Sequence, residues 1–178
     1  MPPDHDADAS NGTSRLQVAL AVDADVDRAA SVLGEGRPAW LGERLPAADD
    51  RDTDRFLIDL ELRVSDRAPR VAFRKAAYVE VGPLASDPDG EAISLPISWR
   101  AAGMTPLFPV FAGRLSWGPG ELRLDGYYAP PGGSVGLMAD RLVMNAAARA
   151  TGRRLLERIA ESMRASAAGS AGGARAAS

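Results

Sequence analysis

The feature that most constrains the fold is a series of short segments in which apolar and polar side chains alternate. Such alternation is typical of β-strands with one buried face. The segments are joined by short stretches rich in Gly, Pro, Asp and Ser, which form turns. Consecutive strands joined by short turns predict an antiparallel, strongly curved sheet. The five alternating segments are 56–64, 71–81, 93–99, 107–117 and 122–128.

Two short helices are expected before these strands. Residues 16–22 form an apolar strand candidate, and Asp23 is placed to cap a helix over 24–33. A second helix is expected over 38–45, with Pro38 in its first turn.

A long helix is expected after the strands. Residues 129–133, AlaProProGlyGly, interrupt regular structure, and Ser134 is placed to cap a helix that runs to about Arg164. A helix of this length needs a surface on which to pack. The element order therefore predicts an α+β fold in which a curved antiparallel sheet wraps around a long C-terminal helix, with a space between them.

Length and composition favour one globular domain. The chain has 178 residues, of which 46% are hydrophobic and 25% charged. Residues 1–14 have neither the apolar run nor the basic start of a signal peptide, so we expect a flexible leader. Residues 15–166 form the predicted domain, which contains no integral membrane segment. Residues 167–178 are almost wholly Ala, Gly and Ser, so we expect a disordered tail.

The chain lacks several kinds of reactive side chain. It has no cysteine, which excludes thiol nucleophiles, disulfides and cysteine zinc sites and is compatible with the cytoplasmic location that we expect. Its only histidine is His5, so no internal imidazole serves as a base or metal ligand. Oxygen ligands for a divalent ion are not excluded, but no calcium-type acidic loop is present. We expect no metal and no cofactor.

The two ends of the chain differ in charge. Residues 1–54 carry twelve acidic and five basic side chains, whereas residues 141–178 carry two acidic and seven basic ones. The basic segment has no aromatic side chain on which a base could stack, and the whole chain has a net charge of −3. We therefore expect no nucleic-acid partner.

Three stretches near the strand-to-helix junction resemble a known superfamily. They are LFPVFAGRL (107–115), LRLDGYYAPPGG (122–133) and GLMADRL (136–142). Together with the element order over about residues 15–165, they resemble a bacterial subgroup of the START-related superfamily, also called SRPBCC. That superfamily includes lipid-transfer domains and polyketide cyclases. The resemblance implies a helix-grip fold and an apolar molecule held between the terminal helix and the sheet, but no particular reaction.

One face of the predicted terminal helix is apolar at its ends and polar at its centre. If the C-terminal half packs on the sheet, Asn145 and Arg149 also turn inward. Burial of an unpaired guanidinium is costly, so Arg149 would then require a carboxylate, water or the polar part of a ligand. The alternative is a kink at Gly152 that leaves Arg149 in solvent. The stripe comprises Met138, Leu142, Asn145, Arg149, Gly152, Leu156, Ile159 and Met163.

Four aromatic residues fall on the apolar side of their strands: Trp99, Phe111, Trp117 and Tyr128. They are either ordinary core or the wall of a pocket. A buried tyrosine hydroxyl needs a partner, so Tyr128 is the candidate for orienting a ligand. Lys75 shares the inward alternation of its strand, and it either faces the cavity or is turned out at an edge or bulge.

Residues 132–136 match the G-x-S-x-G pattern of hydrolase nucleophiles. No histidine follows the serine, which a triad of that type requires. A glycine-rich turn with Ser134 as helix cap is the favoured interpretation, and a phosphate cradle at the helix N-terminus is the alternative.

Three hypotheses for function follow. The first is a binding or carrier domain for an apolar small molecule or lipid, oriented at its polar end by Asn145 and Arg149. The second is an enzyme similar to polyketide cyclases or dehydratases, with Tyr128, Arg149 and a carboxylate as acid or base. The third is an interaction scaffold with a solid core, and the oligomeric state stays open. In the first hypothesis the ligand lies against Trp99, Phe111, Tyr128, Met138 and Leu142.

Overall fold

The computed structural model describes residues 13–46, 53–63, 72–103, 110–129 and 138–175, without the side chains of 60–63, 72–75, 138–145, 147 and 169–175. The described residues form eight strands and three helices. In chain order these are β1 (Ser14–Ala21), α1 (Val26–Leu33), α2 (Arg37–Leu41), β2 (Glu43–Leu45), β3 (Asp54–Arg63), β4 (Ala72–Val81), β5 (Ala85–Ser86), β6 (Ile93–Ala101), β7 (Val110–Gly118), β8 (Glu121–Ala129) and α3 (Met138–Arg175).

The strands form one antiparallel sheet, as the alternating segments predict. The strand order is β1-β8-β7-β6-β4-β3-β2, and β5 pairs with β6. The predicted alternating segments correspond to β3, β4, β6, β7 and β8. The short strands β2 and β5 were not predicted, because a strand of two or three residues is too short to show a period.

The helices cover the concave face of this sheet. Among the described residues, α3 makes its extensive sheet contacts with β1, β3 and β8. Helices α1 and α2 both pack against α3, and α1 also reaches β6 and β7. The α+β fold with a long C-terminal helix gripped by a curved sheet is therefore confirmed.

The two short helices differ in detail from the prediction. The cap of α1 is Asp25 and not Asp23, because the backbone still follows the sheet at Val22, whose N–H donates to the Gly120 carbonyl at 2.9 Å. The Asp25 carboxylate accepts from the N–H of Arg28 at 2.8 Å. Helix α2 ends at Leu41 and not at residue 45, because Gly42 adopts φ 92° and turns the chain into β2.

The terminal helix is longer than predicted. It continues past Arg164 to Arg175, so part of the segment expected as a disordered tail is helical. Alanine has the highest helix propensity, and extension of an existing helix avoids the cost of nucleation. Its predicted cap Ser134, the G-x-S-x-G segment and most of the predicted leader lie outside the described residues, as does the side chain of Lys75. None of the described helices combines the length and the apolar character needed to cross a membrane.

Candidate functional site

Three aromatic side chains form a row across the concave face, which we call the aromatic wall: Trp99, Phe111 and Tyr128. Trp99 on β6 is directly opposite Phe111 on β7, and Phe111 is directly opposite Tyr128 on β8. The rings of Trp99 and Phe111 stack with their centroids 4.0 Å apart and an angle of 19° between their planes. Directly opposed strand residues bring such side chains into contact, which places the wall in one layer.

Two glycines lie beside this wall, and the sequence analysis missed them. Gly113 and Gly126 are directly opposite each other on β7 and β8. A Cβ atom added at Gly113 would lie 2.7 Å from Cζ of Phe111, and one at Gly126 would lie 2.8 Å from it. The Phe111 ring therefore lies over the space that two side chains would otherwise fill. The available signal was a glycine at an inward position in each of two successive strands, which marks a close approach.

The aromatic wall is fully covered. Trp99 is 4% exposed, Phe111 0% and Tyr128 2%. Their predicted inward orientation is therefore confirmed. A ligand that contacted these rings would have to replace the atoms that now cover them. The row continues along the same register through Val79 and Phe56, which are also buried.

Helix α3 buries the C-terminal part of the predicted stripe, namely Gly152, Leu156, Ile159 and Met163. Arg149 is exposed and Ala148 is buried, so the inward interpretation of Arg149 is wrong and the alternative that leaves it in solvent holds. At Gly152 the helix approaches closely: an added Cβ would lie 3.1 Å from Leu124 and 3.2 Å from Val18. A step of four from this contact leads to Ala148, whose methyl group suits a close approach. Arg149 lies on the flank of the helix, where its side chain is exposed.

The other predicted residues of α3 are Met138, Leu142 and Asn145. Their backbone belongs to the first turns of the helix, and their side chains lie outside the described part of the structure. Their role in ligand binding therefore stays a prediction. Gly152, the predicted site of a kink, serves as the contact point between the helix and strands β1 and β8.

Clefts that are open to solvent lie along α3. One of about 310 Å³ lies between α3 and β3 and is lined by Asp59, Thr151, Arg154, Leu155, Glu157, Arg158 and Glu161. Another of about 550 Å³ separates α3 from α1 and α2. The aromatic wall lines neither cleft. The aromatic wall and these two open clefts are therefore separate features.

The convex side of the sheet carries a charged cluster behind β8. The Asp125 carboxylate accepts from the Arg15 guanidinium at 3.0 Å and from the Gln17 amide at 2.6 Å. These hydrogen bonds, with that from Arg15 the larger cause, lower the pKa of Asp125, and the same carboxylate raises the pKa of Arg15. In the described ranges, no three acidic or histidine side chains cluster closely enough to hold a metal ion.

Among solved structures, similarity is found at low sequence identity. DynU16, a protein from the dynemicin biosynthetic locus, is 14% identical over 84% of this chain and 47% of its own, with a TM-score of 0.43. A protein from Thermus thermophilus is 13% identical over 86% of this chain and 99% of its own, with a TM-score of 0.47. Norcoclaurine synthase from Thalictrum flavum is 12% identical over 79% of this chain and 86% of its own, with a TM-score of 0.34.

Similarities at this level of sequence identity indicate no function. The chain spans about half the length of DynU16. No protein-family model matches the chain, and no curated protein sequence is similar to it. The strand order, the antiparallel pairing and the long helix on the concave face are what identify the chain as an α+β protein of helix-grip architecture.

Proposed function

We propose that the protein binds an apolar small molecule or lipid between α3 and the aromatic wall. The observation that carries this proposal is the wall itself, a continuous row of Trp99, Phe111 and Tyr128 on the concave face. When apolar ligand surface is removed from water against such a row, it contributes about 25 cal/mol per Å² to the free energy of binding. The proposal agrees with the resemblance to the START-related superfamily, and we extend it to a carrier role in the cytoplasm.

The wall has one polar group of particular interest, the hydroxyl of Tyr128. A ligand with a polar end would be oriented by this group, while its apolar part lies along Phe111 and Trp99. In this proposal Met138, Leu142 and Asn145 contact the ligand from the first turns of α3. Arg149 is exposed, so it reaches only a polar end that emerges at the flank of the helix.

Access to the wall requires local opening, because all three rings are buried. The close contact at Gly152 holds the middle of α3 on β1 and β8. The first turns of the helix are therefore the part that we expect to move when a ligand enters. A ligand that binds only the folded protein also raises its stability in proportion to the logarithm of the ligand concentration.

The experiment uses dibromostearic acid, whose bromine atoms quench tryptophan fluorescence on contact. We expect the fatty acid to quench the wild-type protein and Trp117→Phe, but to leave Trp99→Phe largely unquenched. Trp117 is the matched control, because it is equally buried on an inward strand face but lies away from the wall. Native mass spectrometry of gently purified protein should show a co-purifying lipid or a complex with the added fatty acid. Equal quenching of both variants would mean adventitious surface binding.

The second candidate function is an interaction scaffold, and the complete burial of Phe111 favours it. A core that stays closed binds no lipid, so absence of both quenching and a co-purifying molecule would support the scaffold. The cyclase-like alternative needs Tyr128 and Arg149 in one site. Tyr128 is buried and Arg149 is exposed, so no observation favours that alternative.

A further inference from the structure

The two edges of the sheet are protected to very different degrees. The edge strand β2 has three residues, and its Arg44 forms an ion pair with Asp54 of the neighbouring strand. The edge strand β1 has eight residues, SRLQVALA, with no proline, no lysine and a single charge at Arg15. Long, weakly charged edge strands are ready templates for pairing with another strand.

The backbone of β1 has hydrogen-bonding groups directed away from the sheet. Val22 donates its N–H to Gly120, next to the β8 strand. Because bonding direction alternates along an antiparallel strand, the even-numbered residues of β1 bond to β8. Gln17 and Ala19 therefore direct their N–H and C=O groups outward, and within the described ranges no strand pairs with that side.

We propose that β1 pairs antiparallel with β1 of a second copy, so that the two sheets become continuous around a two-fold axis at Ala19. In this register Gln17 is opposite Ala21 of the second copy, and Arg15 is opposite Asp23 of the second copy. The even-numbered side chains, such as Leu16, stay on the concave side in both copies, as a half-buried strand requires.

Charge complementarity selects this register. Arg15 is bonded to Asp125 of its own chain through Nε and Nη2, but its side chain is 60% exposed, so other guanidinium N–H groups can also meet the exposed Asp23 of the second copy. The two-fold axis brings Arg15 and Asp23 together twice. A shift by one register step in one direction puts Arg15 opposite Ala21. A shift in the other direction puts it opposite Asp25, whose carboxylate already caps α1. A second copy of the chain thus supplies both the hydrogen-bond pattern and the opposite charge.

The test measures the mass of the full chain by light scattering across a range of concentrations. We expect a dimer of the 18.7 kDa chain. Ala19→Pro should make it a monomer with unchanged circular dichroism, because it removes an outward N–H that the monomer does not use. Ala19→Val, the matched control, keeps this N–H and should remain a dimer. A wild-type protein that is monomeric at every attainable concentration, or a dimer that survives Ala19→Pro, would overturn the proposal.

A charge reversal provides a test that is independent of proline. Asp23→Arg should weaken dimerisation by about tenfold, since it places like charges opposite each other at two points. Asp23→Asn removes the charge without reversing it and should weaken dimerisation less. An Asp23→Arg variant that dimerises as strongly as the wild type would count against this register. A dimer that forms only after removal of residues 1–12 would show that the chain's own N-terminus occupies the edge, which also contradicts the proposal.

Discussion

The concave face of the sheet has two halves that are equally buried but differently built. In the first half, aliphatic side chains such as Leu95 and Leu115 lie in rows covered by helices. Here α1 reaches β6 and β7, and the α1 region is tied to α2 by the indole N–H of Trp40, which donates to the Val32 carbonyl at 2.9 Å. In the second half, the aromatic wall lies beside the glycine pair Gly113 and Gly126.

The two halves differ in their expected roles. Side-chain packing in the first half specifies the fold, whereas in the ligand-binding proposal a ligand replaces part of the packing in the second half. In the first half α1 contacts β6 and β7 and also packs against α3, so the sheet and two helices meet there. In the second half the described part of α3 makes its extensive contacts with β1, β3 and β8, whereas Trp99 and Phe111 lie on β6 and β7. All of these side chains belong to one hydrophobic core cluster, and the ligand-binding proposal places the replacement of covering atoms at the aromatic wall.

The largest expected effect is at the glycine pair. Gly113→Ala should lower the free energy of unfolding by about 3 kcal/mol or more, because the new Cβ would overlap the Asp125 carbonyl oxygen and the Phe111 ring. Urea denaturation measures the loss. Gly118→Ala on the same strand is the control, because a Cβ there meets nothing within 4 Å. Equal stability of the two variants would show that the Phe111 ring does not depend on the glycine beside it.

A somewhat smaller effect is expected in the first half. Leu115→Ala should lower the free energy of unfolding, because Leu115 is fully buried and the variant leaves a cavity. The loss should be about 3 kcal/mol at most if the surrounding helices relax into this cavity. The fatty acid should stabilise this variant by the same increment as the wild type, because the altered site is away from the wall. Denaturation with and without dibromostearic acid measures both quantities. If a folded Leu115→Ala protein no longer bound the fatty acid, the two halves would act as one pocket.

The smallest effect is expected behind the wall, at the convex surface. The hydrogen bonds from Arg15 and Gln17 lower the pKa of Asp125, so their stabilising contribution is present above its ordinary pKa of 3.8. That contribution is lost as the pH falls through the lower pKa of the folded state. Arg15→Gln should raise the pKa of Asp125 towards 3.8, as followed by carboxyl carbon NMR, and salt should reduce the difference. Arg123→Gln should have less effect, because Arg123 is the weakest cause of the shift.

Much of the architecture was predictable from local patterns. The period-two segments correspond to the long strands β3, β4, β6, β7 and β8, and turn residues between them indicated antiparallel pairing. The inward orientation of Trp99, Phe111 and Tyr128 followed from the same alternation. One error arose where two residues of equal local chemistry competed. Asp23 and Asp25 are both good helix caps, and only the sheet pairing that continues to Val22 selects Asp25.

The position of Arg149 shows the limit of pattern analysis most clearly. Steps of three and four are both compatible with one helix face, so the sequence allowed the stripe to pass through Arg149 or through Ala148. The close contact of Gly152 with Leu124 and Val18 rotates the helix so that Ala148 is buried and Arg149 is exposed.

The sequence by itself determined the fold class, the long strands and the apolar face of each of them, because hydrophobic periodicity is a local property of the chain. Only the tertiary structure decided the rotation of α3, the pairing of Gly113 with Gly126 and the position of β1 at the edge of the described strands. These features depend on which residues from distant parts of the chain meet, and contact between such residues has no local signal.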